Sequence, residues 1–124
     1  ASESKYIDIY EVVLDTLVAS KRTQVVEYIY NIAYTKDEIL IALDFMEIIL
    51  RDVLEFATGG SNYVTINNDY CIEKIAKDFS KSPGGISRAI FNVIDAKYLY
   101  VLNISPMNII EQVIFDILEI QKTC

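Results

Sequence analysis

Thr35-Lys36-Asp37-Glu38 opens a stretch that continues Ile39-Leu40-Ile41-Ala42-Leu43 and runs without glycine or proline to Ala57, just ahead of Gly59-Gly60. The Thr and the Glu three residues on form a capping box, each side chain satisfying a backbone donor that the first turn leaves free. The glycine pair supplies the stop. On a helical wheel Asp37, Asp44, Glu47, Arg51, Asp52 and Glu55 share one broad arc, and nearly everything else is hydrophobic. This spacing predicts a long helix, and a helix apolar over most of its circumference is normally central to its domain. Ile41 and Ile48 sit seven residues apart inside the polar arc. They are candidate contacts for a partner subunit, or else ordinary exposed apolar residues.

The same periodicity extends in both directions. Tyr6, Tyr10, Val13, Leu14 and Leu17 recur at three- and four-residue spacing. Beyond the polar break Ser20-Lys21-Arg22-Thr23, so do Val26, Ile29, Tyr30 and Ala33. Downstream, Asn67-Asn68-Asp69 offers three good N-caps ahead of a helix striped by Ile72, Ile75, Ala76 and Phe79. Ser82-Pro83 is a cap followed by proline at the first helical position, although Gly84-Gly85 leaves open a later start at Ile86. Ile86, Ile90, Val93 and Ile94 stripe that helix, and Ser105-Pro106 repeats the start signal for a last one carrying Ile110, Val113, Ile114, Ile117 and Leu118. Val64-Thr65-Ile66 is strand-like but too short and isolated to build a sheet. Strict alternation hardly occurs, so the periodicity outweighs the mild reluctance of the many β-branched residues to be helical. The expectation is an all-α fold: one compact bundle of about six helices over residues 1–124, with 1–4 as linker.

Composition narrows the function. The chain has 124 residues, a net charge of −7, a hydrophobic fraction of 52% and a mean hydropathy of +0.27. That apolar fraction is at or above the top of the usual soluble range, which suggests that one face meets another protein. The abundance of Ile and the 9 Tyr also fit an AT-rich coding bias. Acidity argues against a free-standing nucleic-acid binder. No uninterrupted apolar run predicts a membrane span. Ala1-Ser2-Glu3-Ser4 is no targeting signal, and a chain that begins with Ala reads as a piece of a longer polypeptide. Cys71 and Cys124 have no partner spacing; reduced thiols in a cytoplasmic protein are the simplest account, with a disulfide left open.

Catalytic groups are scarce. There is no His, hence neither the commonest general base nor the usual activator of a serine. Neither Gly pair is followed by the Gly-Lys-Ser/Thr of a phosphate loop. No cofactor or metal site is expected, and no enzyme. One stretch reverses the overall charge. Lys74, Lys77 and Lys81 fall at helical spacing with Arg88 nearby, five basic residues against two acidic ones between positions 74 and 97. A phosphate-contacting patch is one reading, a solvated or ion-paired face the other. Arg51-Asp52, deep in an apolar helix, is either solvated or an ion pair fixing how this helix meets a neighbour.

An ordered set of residues completes the picture: Arg51-Asp52 in the long helix, Asn67 to Asp69 before the next, Ala96-Lys97 ahead of Asn103 and Pro106, and Glu111-Gln112 in the last. From roughly Lys36 to Ile120 this set resembles the C-terminal collar domain of bacterial DNA polymerase III clamp-loader subunits, nearest the delta-prime type. Lys81 to Gly85 departs from the pattern, and the first 35 residues match weakly. The resemblance implies N-terminal AAA+ modules elsewhere in the polypeptide and a collar of five subunits holding the ring that loads the sliding clamp. It implies other clamp-loader subunits as partners, DNA contacted only through the assembly, no membrane association and a cytoplasmic location. The alternative is a helical DNA-binding, regulatory or adaptor domain using the Lys74 to Arg88 face.

Overall fold

The computed structural model describes residues 2–19, 36–64, 69–102 and 105–124. Among these, all regular structure is helical: α1 (Ser2–Val18), α2 (Lys36–Ala57), α3 (Asp69–Asp78), α4 (Pro83–Val101) and α5 (Pro106–Thr123). The helix expected around Val26 to Ala33 lies outside the described residues, as do Thr35 of the capping box and Asn67-Asn68.

α2 is the hub. Ile39, Ala42, Leu43, Met46, Ile49, Leu50 and Val53 are all buried, the i, i+3, i+4, i+7 pattern of a core-facing stripe. The helix packs against all four of the others, most extensively against α4. α4 in turn lies against α5, and α1 crosses onto α2 and α3. The core is completed by Ile9, Val13, Leu14 and Leu17 from α1, by Ile72, Ile75, Ala76 and Phe79 around α3, and by facing isoleucines and valines of α4 and α5. Tyr10 meets Phe45 edge-to-face at 5.4 Å, tying α1 to α2. Tyr6, placed on the buried stripe by its spacing, is instead exposed, one turn beyond the end of the α1 contact. Thr16, buried on α1, returns its hydroxyl to the Val12 carbonyl at 2.7 Å and so needs no other partner.

The helix ends explain the boundaries. α2 stops in a Schellman turn: Gly59 takes φ +82°, Gly60 N–H donates to the Glu55 carbonyl, and Gly59 N–H donates to that of Phe56. α3 ends in the same bond pattern, with Lys81 N–H on the Ala76 carbonyl and Ser80 N–H on that of Lys77. Here, however, Ser80 (φ 54°) and Lys81 (φ 53°) hold the left-handed conformation without glycine. Ser82 then caps α4: its Oγ accepts the Gly85 N–H at 3.1 Å and its carbonyl accepts the Ile86 N–H at 3.0 Å. The helix therefore starts at Pro83, not Ile86. Gly85 is buried against the Cys124 thiol, where a Cβ would collide, so this glycine lets the end of α5 settle on the first turn of α4. Ser105 is the exception. Pro106 opens α5 as the sequence suggests, but the Ser105 side chain makes no capping bond.

Candidate interaction surfaces

The polar arc of α2 splits into three environments. Arg51 projects into solvent, its side chain 61% exposed, and pairs along its own helix with Glu47 at 2.8 Å. Asp52 leaves the solvated arc altogether: it is only 1% exposed and accepts the Val64 N–H at 2.8 Å, anchoring the loop that follows α2. This neighbouring pair thus does two separate jobs. Ile41 and Ile48 are both half-buried, Ile41 against the core, which leaves each only a partial surface for a further contact.

The ion pair that fixes one helix on another belongs to Lys97. From α4 its Nζ reaches Asp44 Oδ1 at 2.6 Å and Glu47 Oε1 at 2.8 Å on α2. The Lys97 hydrogen bond holds the Glu47 carboxyl below its ordinary value against the opposing effect of burial, with Arg51 adding to the depression. For Lys97, burial alone would lower the ammonium's pKa, but the bonds and charges of Asp44 and Glu47 prevail and raise it. Sequence periodicity gave no signal for this role, because a lysine at the edge of a stripe looks the same whether it points to water or across an interface.

The basic residues do not form an open patch. Lys74 is bound to Asp78 at 2.7 Å and to the Val18 carbonyl at 3.2 Å, joining α3 to the end of α1. Lys77 pairs with Glu73 at 3.4 Å. Lys81 lies beyond α3 and places its ammonium 5.8 Å from the centre of the Phe56 ring. Arg88 sits on the exposed side of α4. The αL turn at Ser80-Lys81 breaks the helical register on which a continuous basic face depended.

The outer side of α4 carries exposed apolar side chains. Phe91 (64% exposed), Tyr98 (69%) and Leu102 (69%) follow one another by seven and four residues, with Leu99 alongside. They form an apolar ridge, crossed by exposed Asp95 between Phe91 and Tyr98 and ending on Leu102 just past the helix, out of phase with the buried residues Ile86, Ala89, Ile90, Val93 and Ala96. The signal was present in the sequence: a second stripe on a helix that already had its buried one. Beside the ridge, the antiparallel α4 and α5 leave a groove lined by Arg88, Phe91, Asn92 and Asp95 on one side and Asp116, Glu119 and Ile120 on the other.

Both Cys71, half-buried, and Cys124, exposed, are free thiols. Burial first, and the charge of Asp15 second, push the Cys71 thiol above its ordinary value. Among the described residues no cluster of His, Cys, Asp and Glu is arranged to hold a metal, and no helix is long and apolar enough to cross a membrane. Comparisons with known protein families, with curated proteins and with solved structures return no match for this chain.

Proposed function

We propose that this chain is a non-catalytic helical oligomerisation domain, and specifically a collar domain of a bacterial DNA polymerase III clamp loader, nearest the delta-prime type. The observation that carries the oligomerisation reading is the ridge Phe91, Tyr98, Leu99 and Leu102. Three of the four are more than half exposed, on a helix whose other face is already fully used, and an ordered apolar ridge of this kind gains most by being covered. Support for the clamp-loader assignment comes from the ordered residue set, three of whose members have structural roles. Lys97 locks α4 to α2, Asp52 fixes the loop after α2, and Asp69 opens α3.

In this role the domain would contribute helix surface to a five-subunit ring, with nucleotide chemistry in AAA+ modules and DNA reached through the assembly. Co-expression with the tau/gamma and delta subunits of a bacterial clamp loader tests it. Co-elution of the subunits in size-exclusion chromatography, lost on Phe91→Ser plus Leu102→Ser, is the expected result. Absence of association at micromolar concentrations, or salt-sensitive DNA binding by the chain alone, would overturn the reading.

A further inference from the structure

Resting on the oligomerisation reading, we infer that the groove between α4 and α5 takes a cationic amphipathic helix from the partner. The groove has the form such a helix needs. Two antiparallel helices run side by side, and its lining on α5 spans Ile109 to Thr123, about 21 Å at the rise of an α-helix. An incoming helix of about four turns would lie along that length, its i, i+3, i+4 and i+7 side chains in the groove. Phe91 and Leu99 supply the apolar contact from the α4 side, while Ile109, Val113 and Ile120, buried in the domain's own core, form only the groove's floor on the α5 side.

Charge selects the occupant. Asp95, Asp116 and Glu119 line the groove, with Arg88 the one cation between them. Lys122, next to Thr123 at the groove's end, pairs with Glu119 at 3.3 Å, which leaves Asp95 and Asp116 as the acids without a paired cation among the described residues. Asp116 accepts the Gln112 side-chain amide at 2.8 Å, a neutral donor, and among the described residues no cation pairs with it. Lys or Arg flanking the apolar stripe of an incoming helix would meet these acids and steer its approach. A second copy of this chain fits poorly, since two such rims would face each other on molecules of net charge −7. Nucleic acid is repelled by the same carboxylates.

The test uses the intact chain and a pair of designed 15-residue helical peptides with the same leucine stripe, one flanked by Lys and one by Glu. Two-dimensional NMR of the labelled protein locates binding. The Lys peptide is expected to shift amides of α4 and α5 saturably, and Phe91→Ser to weaken it with the circular dichroism unchanged. Asp95→Lys plus Asp116→Lys should move the preference toward the Glu peptide by about 10-fold or more. Equal affinity for both peptides, shifts confined to other helices, or dimerisation of the chain through this face would each overturn the proposal. The co-elution assay is independent. Peptide binding without clamp-loader association would sink the collar assignment alone, and association that survives Asp95→Lys plus Asp116→Lys with no peptide binding would sink the groove alone.

Discussion

Replacing Lys97 by Met keeps the aliphatic stem and removes the charge that joins α4 to α2. The two arms of the junction differ in worth. Asp44 is 54% exposed, so its bond to Lys97 behaves as a surface ion pair of about 0.5 kcal/mol. Glu47 is 18% exposed and Lys97 26%, so the second bond is a partly buried, charge-assisted one of about 1.5 kcal/mol. Lys97→Met should therefore cost about 2 kcal/mol at pH 7, read as a lower midpoint in urea with an unchanged slope. The depressed Glu47 carboxyl contributes its stability fully above the unfolded-state value, about 4.3, and loses it as pH falls through the lower folded value. The raised Lys97 ammonium contributes fully below about 10.4 and loses its share as pH rises through the higher folded value. The gap between wild type and Lys97→Met should be flat from roughly pH 5 to 10 and narrow at both ends. A double-mutant cycle with Glu47→Gln should return a coupling of about 1.5 kcal/mol. A midpoint equal to wild type at pH 7, or a penalty that stays the same down to pH 3, would refute the reasoning.

Ser80→Gly should stabilise the protein by about 1 kcal/mol in thermal or urea unfolding, because it relieves a left-handed residue at the end of α3. Asp52→Ala removes a charged acceptor from the Val64 N–H and should cost about 1.5–3 kcal/mol, with faster hydrogen exchange at that amide as its local signature. With a thiol reagent at pH 8, mass spectrometry should find exposed Cys124 modified well before Cys71, whose burial both shields the sulfur and disfavours its thiolate.

Helix identity and phase were legible because each stripe repeats one period many times over. Ile72, Ile75, Ala76 and Phe79 are buried as their spacing requires, as are Ile110, Val113, Ile114 and Ile117. Stop signals carried by glycine were equally plain at Gly59-Gly60. What could not be read was the destination of individual polar side chains. Asp52 and Arg51 are adjacent in sequence yet go to the interior and to solvent, because the loop at Val64 supplies a donor for one only. The basic face keeps Lys74 and Lys77 as ion-paired residues and loses Lys81 for a related reason. Its register assumed an unbroken helix through Lys81, and two non-glycine residues at positive φ ended α3 earlier. The ridge at Phe91, Tyr98 and Leu102 was readable in principle, as a second apolar phase on α4, but a stripe shows its partner only once the first face is known to be filled.

Because α2 borders each of the other four described helices, no pair of them can separate without stripping contacts from it. Loss of the bundle should accordingly be concerted, with amides of α2 exchanging only through global opening. Such all-or-none behaviour means a load applied at α4 or α5 is carried through one shared spine into α1 and α3, and does not dissipate by local melting.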